Sequence, residues 1–315
     1  MRIVFLDAST LGAASLQPIS ALGELVCYPY STPEEALQRV KEAEVLIINK
    51  VKVTAQLMDA APGLRLICEA ATGVNNIDLE AAAQRGIPVK NVAGYSTDSV
   101  VQLTFALILN LLCRTAEYDA YVKSGRYSAS PIFTEVSRPF MELAGKTMGI
   151  IGMGTIGQRV AKAAEAFGMN VIYFSTSGTS HCKDYPSVSI EELMAKADIV
   201  SIHAPLNART QGLIKARELA LMRSEAIIIN IGRGGIVDEQ ALADAISEER
   251  IAGAGLDVFS REPLPADNPL LHTAHPERLS FTPHIGWASR EALDRLVQGI
   301  ASNIAEAVRG VKCGE

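Results

Sequence analysis

Three polar residues that could do acid–base chemistry together each follow an apolar run in the C-terminal half of the chain. Arg233 stands in NIGRGGIVDE, Glu262 in DVFSREPLP and His284 in TPHIGWAS. A guanidinium offers a carboxylate two parallel donors, and an imidazole can give or take a proton near neutral pH. A neighbouring carboxylate orients the imidazole and favours its protonated form. The set predicts reduction of a 2-oxo acid. Arg233 would bind the substrate, His284 would protonate it, and Glu262 would orient His284.

A glycine-rich turn supplies a second chemical signal. Gly152, Gly154 and Gly157 form a G-x-G-x-x-G pattern between an apolar run and a series of good helix formers. In such a turn the first glycine permits the tight bend and the second lets the backbone approach a pyrophosphate. The third lets the helix pack on the strand, and the helix N-terminus supplies a positive end. The segment therefore predicts a dinucleotide site.

The form of the dinucleotide depends on the tip of the next strand, where an acidic residue would bind the ribose hydroxyls of NAD. Ser175, Thr176 and Ser177 stand there instead. A carboxylate would repel a 2′-phosphate, whereas three small hydroxyl residues would accept it, and Lys183 is the nearest cation along the chain. Ser175 could equally hydrogen-bond the ribose of NAD. The sequence therefore leaves both NAD and NADP open, with dual use included.

Short runs rich in Val and Ile alternate with helical patterns, and they read as apolar throughout rather than alternating. That pattern is typical of parallel sheets covered on both faces and predicts an α/β fold. The predicted strands are 3–6, 45–48, 66–68 and 89–92, followed by a second series at 147–151, 171–174, 199–202, 227–231, 255–258 and 279–282. The predicted helices include 33–43, 79–84, a long one over 97–123 and a final amphipathic one from residue 289.

The composition excludes several classes of protein. The chain has 315 residues, 48% hydrophobic and 20% charged, with a net charge of −6, and this argues against disorder and against a nucleic-acid or anionic membrane surface. No apolar run reaches the roughly 18 residues of a membrane span. Cysteines 27, 68, 113, 182 and 313 have no C-x-x-C spacing, which indicates reduced thiols in a cytoplasmic protein. No cluster has metal-ligand spacing, so we expect no metal.

Taken together, the motifs GMGTIG, NIGRGGIVDE, DVFSREPLP and TPHIGWAS resemble those of the D-isomer-specific 2-hydroxyacid dehydrogenases, over essentially the full chain. The resemblance implies a Rossmann-type doubly wound parallel sheet domain inserted in a smaller flavodoxin-like α/β substrate domain. We expect residues 1–98 plus 289–315 to form the substrate domain and residues 99–288 the dinucleotide-binding domain. The family also implies a homodimer, formed through the long helix after Thr97 and the segment that follows it.

The same resemblance extends the predicted site. The expected cofactor contacts are Gly152, Gly154, Thr155, Ile156, Gly157, Ser175, Thr176, Ser177, Ala204, Pro205, Ile231, Gly232, Arg233, Asp257, His284 and Gly286. The expected substrate contacts are Thr72, Gly73 and Val74, whose backbone amides would face the substrate carboxylate, together with Arg233 and His284. His203, at a strand end, is a weaker candidate for the adenosine side.

Within the family, CEAATGVNNID, NVAGYSTDSVVQLTFALIL and HIGWASREA look like the glycerate dehydrogenase (hydroxypyruvate reductase) branch. The resemblance implies reduction of hydroxypyruvate or glyoxylate to D-glycerate or glycolate. Glu262 argues against the formate branch, where Gln is expected. Segment 126–140 lacks a tryptophan often found in glycerate dehydrogenases, and Tyr127 or Phe133 either replaces it or packs. Phosphoglycerate or D-lactate dehydrogenase remains an alternative, as does a nucleotide-sensing binding protein of the corepressor kind.

Overall fold

The computed structural model describes residues 1–179 and 182–312, without the side chains of residues 308 and 310–312. Cys313, one of the five cysteines, lies outside the described residues. The chain divides into two compact units. One consists of Met1–Ser96 and the chain from Trp287 onward, and the other of Thr97–Gly286. The second unit is therefore inserted in the sequence of the first, with divides at 96/97 and 286/287 where the sequence suggested 98/99 and 288/289.

The first unit contains a five-stranded parallel sheet in the order β2-β1-β3-β4-β5, the flavodoxin-like order. Its elements before the insertion are β1 (Arg2–Phe5), α1 (Gln17–Ser20), β2 (Glu24–Cys27), α2 (Pro33–Arg39), β3 (Val45–Ile48), α3 (Ala55–Asp59), β4 (Leu66–Glu69), α4 (Leu79–Gln84) and β5 (Val89–Lys90). The sequence predicted four of these strands and missed β2. This edge strand is short and only half buried, so it carries no continuous apolar run.

The second unit contains a six-stranded parallel sheet in the order β11-β10-β9-β8-β6-β7. Its elements are α5 (Thr97–Cys113), α6 (Thr115–Lys123), β6 (Thr147–Ile151), α7 (Thr155–Ala166), β7 (Asn170–Phe174), α8 (Ile190–Lys196), β8 (Ile199–Ile202), α9 (Ala216–Leu219), β9 (Ile227–Asn230), α10 (Glu239–Ser247), β10 (Gly253–Leu256) and β11 (Leu279–Phe281). All six predicted strands of this series are confirmed, each with bounds within two residues.

A single parallel bridge between Tyr173 and Ser187 extends the second sheet beyond β7. Val188 N donates to the Tyr173 carbonyl at 2.9 Å, and Tyr173 N donates to the Pro186 carbonyl at 3.0 Å. With this bridge counted as a reduced third strand, the sheet has the 3-2-1-4-5-6 order of dinucleotide-binding domains, and β11 follows as a seventh strand. The predicted Rossmann-type architecture is confirmed, with its third strand shortened to one residue pair.

The helix predicted over 97–123 is wrong as a single element. Arg114 adopts a left-handed conformation with φ of 50°, which ends α5 and separates it from α6. The Asn110 side chain compensates at the break, because its Oδ1 accepts from Thr115 Oγ1 at 3.1 Å and from Ala116 N at 3.4 Å. Among the described residues no helix is by itself long and apolar enough to cross a membrane, and α5 and α6 meet that criterion only as a pair bent by 57°.

The cores form on the faces of buried strands, as the sequence predicts. All four residues of β3, β4, β8 and β9 are buried in each strand. The last helix, α11 (Arg290–Lys312), completes the first unit, since Leu296, Val297 and Ile300 join the core formed by β1 and β3. The predicted amphipathic C-terminal helix is confirmed.

Candidate active site

The glycine turn between β6 and α7 has no room for side chains at two of its positions. Gly152 has φ of 93°, and a Cβ there would lie 2.9 Å from the His203 carbonyl oxygen. A Cβ at Gly157 would lie 2.2 Å from the Gly152 carbonyl oxygen, so α7 can approach the turn only with glycine. Gly152 N also donates to the Phe174 carbonyl at 3.0 Å, which fixes the turn to the end of β7.

The N-terminus of α7 is open to a ligand. Gly154 is the N-cap residue and provides no side-chain hydrogen bond to the helix, and a Cβ at Gly154 would meet nothing within 4 Å. The first amide groups of the helix, at Thr155 and Ile156, have no carbonyl one turn earlier within the helix to accept from them. Amide donors at the positive end of a 12-residue helix bind anions. The residues present therefore fit the pyrophosphate of a dinucleotide.

The loop after β9 carries Arg233. Asn230, the last residue of the strand and 2% exposed, holds the loop from both sides. Its Oδ1 accepts from Gly232 N at 3.0 Å, and its Nδ2 donates to the Arg233 carbonyl at 2.9 Å. The half-buried Arg233 donates from Nη1 to the Gly232 carbonyl at 2.9 Å. Among the described residues no carboxylate lies within ion-pair distance of Arg233, so its charge is available to an anionic ligand.

The loops after β8 and β9 approach each other closely. A Cβ at Gly232 would lie 3.0 Å from the Ala204 carbonyl oxygen. Ala204 and Ile231 are both buried, whereas Pro205 is exposed and its carbonyl accepts from Thr210 Oγ1 at 2.6 Å. The backbone of these strand ends therefore lines the carboxyl edge of the sheet beside the glycine turn, where open α/β sheets bind ligands.

Asp257 fixes the loop that carries His284. It is 1% exposed, and its carboxylate accepts three hydrogen bonds, from Thr282 Oγ1 at 2.6 Å, Ile285 N at 2.8 Å and Gly286 N at 2.8 Å. Burial raises the pKa of Asp257, and these three donors partly oppose the rise. Gly286 packs against the same carboxylate, since a Cβ there would lie 3.0 Å from Asp257 Oδ2. The sequence proposed Asp257 only as a cofactor contact and missed its role in holding this loop.

Glu262 and His284 form a direct pair. His284 Nδ1 lies 2.7 Å from Glu262 Oε2, and the two side chains are 25% and 35% exposed, His284 being the more buried. The other oxygen of Glu262 accepts from Phe259 N at 2.9 Å, which orients the carboxylate. His284 itself has a left-handed backbone with φ of 55°, and its N–H donates to the Thr282 carbonyl at 3.1 Å. The structure thus brings together two of the three residues predicted to be catalytic.

Two other histidines are unsuited to proton transfer. Burial lowers the pKa of His203 to about 4, which makes its ring neutral at physiological pH. Its Nε2 lies 2.8 Å from Ser201 Oγ within the sheet. His275 lies between Glu249 and Glu277, at 3.4 Å and 3.3 Å, in the segment that precedes β11. His284 is therefore the stronger candidate for the acid–base group.

The hydroxyl residues after β7 form a compact turn. Ser175 Oγ and Ser177 Oγ lie 3.1 Å apart, and both donate to the Thr179 carbonyl, at 2.6 Å and 3.0 Å. The cation found at this turn is Arg209, from the loop after β8, whose Nη1 donates to the Ser177 carbonyl at 2.6 Å. Sequence reasoning pointed to Lys183 because it is close along the chain, and missed Arg209, which only the fold brings near.

Thr72, Gly73 and Val74 belong to the first unit, in the loop between β4 and α4. Thr72 Oγ1 donates to the Val92 carbonyl at 3.2 Å, and Ile77 N donates to the Val74 carbonyl at 3.1 Å. The loop is also tied down by Asn76, whose Nδ2 donates to Glu69 Oε2 at 3.0 Å and to the Val51 carbonyl at 3.1 Å. This backbone is held at the carboxyl end of β4 by the side chains on either side of it.

A glycine turn shaped for a pyrophosphate and a carboxylate–histidine pair at the same sheet edge define a dinucleotide-dependent α/β oxidoreductase. A family model described as "D-isomer specific 2-hydroxyacid dehydrogenase, NAD binding domain" matches residues 105–286. Curated relatives match over nearly the whole chain. A hydroxypyruvate reductase of Blautia hydrogenotrophica is 34% identical (98% of each chain covered), and a glycerate dehydrogenase of Methylorubrum extorquens is 36% identical (98% of this chain and 96% of the relative).

Solved structures agree with this assignment. A protein from Thermus thermophilus superposes with a TM-score of 0.88 at 36% identity, covering 98% of this chain and 97% of its own. An acyclic imino acid reductase in complex with NADPH and D-Arg has a TM-score of 0.87 at 30% identity, with 98% of each chain covered. A D-lactate dehydrogenase from Aquifex aeolicus, complexed with NAD and lactic acid, has a TM-score of 0.84 at 28% identity, covering 98% and 96%. The chain belongs to the D-isomer-specific 2-hydroxyacid dehydrogenase family and is an NAD(P)-dependent oxidoreductase.

Proposed function

We propose that this protein reduces small 2-oxo acids to D-2-hydroxy acids, with hydroxypyruvate and glyoxylate as substrates and D-glycerate and glycolate as products. The observation that carries the proposal is the hydrogen-bonded pair of His284 and Glu262, with 2.7 Å between Nδ1 and Oε2. Arg233, which has no carboxylate partner among the described residues, supports it from the neighbouring strand end. Relatives named hydroxypyruvate reductase, glycerate dehydrogenase and glyoxylate reductase support this choice of substrates.

In the proposed mechanism each side chain has one task. The Arg233 guanidinium binds the substrate carboxylate through paired donors. The backbone amides of Thr72, Gly73 and Val74, in the first unit, stay predicted substrate contacts. NADH or NADPH, held at the glycine turn of Gly152, Gly154 and Gly157, would supply a hydride for the carbonyl carbon. His284 donates its proton to the carbonyl oxygen as that bond is reduced. Because Nδ1 faces Glu262, the proton leaves from Nε2, and Glu262 stabilises the imidazolium before the transfer. Solvent then restores the proton to His284.

Initial rates with NADH and with NADPH test this function. The substrates are hydroxypyruvate, glyoxylate, pyruvate and phosphohydroxypyruvate, and we expect the first two to give the highest kcat/KM. Preference for phosphohydroxypyruvate or pyruvate would identify a phosphoglycerate or D-lactate dehydrogenase instead. Tight dinucleotide binding without turnover of any 2-oxo acid would reject the enzyme and favour a nucleotide-sensing binding protein.

We further propose a homodimer formed through the region around α6. Segment 122–140 exposes large apolar side chains, among them Phe133 at 86% and Val136 at 73% exposed, and exposed apolar patches mark association surfaces. In this segment Tyr127 Oη donates to the Phe133 carbonyl at 3.0 Å, which links the two residues predicted either to replace a tryptophan or to pack. Sedimentation velocity tests the dimer: Phe133→Ser combined with Val136→Ser should shift it to monomer, and an unchanged sedimentation coefficient would place the interface elsewhere.

A cytoplasmic location completes the proposal. None of the four described cysteines forms a disulfide, and burial raises the pKa of Cys68 to about 12, which keeps that thiol protonated and unreactive. Free thiols are typical of reducing compartments. Cell fractionation of the tagged protein tests the location. We also expect neither nucleic acid nor a membrane among its partners.

A further inference from the structure

The turn after β7 presents hydroxyl groups whose protons are already used. Ser175 Oγ and Ser177 Oγ both donate to the Thr179 carbonyl, and a hydroxyl has only one proton to give. As arranged, the two serines offer lone pairs rather than donors to a ligand at this strand tip. An anionic group bound here therefore needs donors other than these two hydroxyls.

Arg209 supplies those donors. It lies in the loop between β8 and α9, and its Nη1 donates to the Ser177 carbonyl at 2.6 Å. The guanidinium also lies against Gly178, because a Cβ built there would be 3.4 Å from Nη1. Gly178 has φ of 81°, so the backbone turns at the point where the guanidinium packs. A guanidinium carries five N–H donors, and the hydrogen bond to Ser177 uses one of them.

The charge of Arg209 is not neutralised by a neighbour. Within residues 1–179 and 182–312 no carboxylate lies within ion-pair distance of Arg209, whereas Arg217 on α9 pairs with Glu191 and Glu218. The turn itself, FSTSGT over 174–179, contains no acidic residue. An unpaired guanidinium beside hydroxyl groups is suited to a phosphate monoester, which accepts paired hydrogen bonds.

The position of this turn in the sheet indicates which phosphate of the dinucleotide Arg209 would bind. In a dinucleotide-binding sheet the tip of the second strand faces the adenosine ribose, and an arginine there accommodates a 2′-phosphate. We propose that Arg209 binds the 2′-phosphate of NADPH and makes this chain prefer NADPH to NADH. The inference rests on the proposed function for the dinucleotide site, but not on the identity of the 2-oxo acid.

Binding of adenosine 2′,5′-bisphosphate and of adenosine 5′-monophosphate, measured by isothermal titration calorimetry, tests the proposal without catalysis. The unmodified protein should bind the bisphosphate at least about tenfold more tightly, as expected for one charge-assisted bidentate contact. Arg209→Ala should abolish this ratio, Arg209→Lys should retain part of it, and Arg209→Glu should invert it. Arg217→Ala, a change to a paired arginine nearby in sequence, should leave the ratio unchanged.

Fluorescence titration with NADPH and NADH provides the second readout. Arg209→Ala should weaken NADPH binding by about 10–100-fold and NADH binding by less than about twofold. Unchanged NADH binding also shows that the variant is folded. An equal loss for both dinucleotides, or no loss for either, would overturn the role of Arg209. If these ratios hold while no 2-oxo acid is turned over, the proposed function fails and the assignment of Arg209 stands.

Discussion

Both units place a buried aspartate just beyond a parallel strand, and both use it to hold a loop from a neighbouring strand. Asp7 follows β1 and accepts from Asn49 N at 3.0 Å, Lys50 N at 2.6 Å and Val51 N at 3.0 Å. Asp257 follows β10 and accepts three donors from the loop after β11. Burial raises the pKa of each aspartate, and the hydrogen-bond donors oppose the rise: backbone amides at Asp7, and the Thr282 hydroxyl with two backbone amides at Asp257. The two parallel sheets therefore organise their carboxyl edges by the same device.

The glutamates beside these aspartates differ. Glu69, at the end of β4, is fully buried, and burial raises its pKa to about 9. Its Oε1 is also buried and has no hydrogen-bond partner among the described residues. A carboxylate in that position would be costly, so the group is neutral at physiological pH. Glu262 is 35% exposed and faces a titratable imidazole instead. A buried glutamate within a strand of one unit thus contrasts with a half-exposed glutamate in a loop of the other, for which we propose a role in the chemistry.

The largest effect should come from the exposed pair of the second unit. His284→Ala removes the proposed proton donor and should lower kcat for reduction by about 10²–10⁴-fold, with the Kd for the dinucleotide nearly unchanged. Steady-state kinetics and fluorescence titration measure the two quantities. His272→Ala is the matched control, because His272 is exposed and its Nε2 lies 2.9 Å from the Ala266 carbonyl oxygen. Full activity in His284→Ala would show that His284 is not the proton donor, and Glu262 would then have no chemical role to contrast with Glu69.

Replacing the two aspartates tests whether they are equivalent. Asp7→Ala and Asp257→Ala each leave several buried donors without an acceptor, and each should lower the free energy of unfolding by about 2–4 kcal/mol in urea titrations. Only Asp257→Ala should also change the pH dependence of kcat, because only Asp257 holds the loop of His284. A changed pH profile of kcat in Asp7→Ala would show that Asp7 also affects the reaction, and that its role is not limited to stability.

Glu262→Gln should have a smaller effect on rate than His284→Ala. Glutamine still accepts from Phe259 N but removes the negative charge beside the imidazole that the proposed proton transfer uses. The kcat for reduction should fall by about tenfold, with the dinucleotide Kd unchanged. An unchanged kcat would mean that Glu262 only orients His284. The carboxylate of Glu239 accepts from Ser260 N and Asn268 Nδ2, and Glu239→Gln, which leaves only one acceptor oxygen there, serves as the control for loop disturbance.

The sequence predicted the fold because the buried strands are apolar on both faces, and this information is local. It missed β2, which is half-exposed, and it missed the break at Arg114, because a left-handed arginine has no signature in composition. The residue types at the strand ends are also visible in the sequence, so Arg233, Glu262 and His284 could be predicted as catalytic residues without a structure.

The contacts and burial of residues at the strand ends could not be predicted from the sequence. Asp257 was proposed as a cofactor contact, and the structure shows its carboxylate engaged by Thr282, Ile285 and Gly286. Arg209 is 32 positions from Ser177, and only the folded chain brings the two together. Acidic residues next to apolar runs, as in LICE, were the available signal for Glu69, but burial and partners depend on contacts between distant segments.

The smallest and most diagnostic change concerns Glu69. Its pKa in the folded protein, about 9, is above the ordinary value of 4.5, so between these values the folded state holds a proton that the unfolded state has lost. The free energy of unfolding should therefore fall as the pH rises, by about 1 kcal/mol per pH unit. Glu69→Gln keeps the shape and removes this proton, so the difference in stability between variant and parent should shift in favour of the variant from about pH 6 to about pH 8. Urea titrations at several pH values measure it, with Glu80→Gln on the exposed face of α4 as the control. A difference in the free energy of unfolding between variant and parent that does not depend on pH would mean that Glu69 is ionised in the folded chain. Glu69 and Glu262 would then differ only in their hydrogen-bond and ion-pair partners.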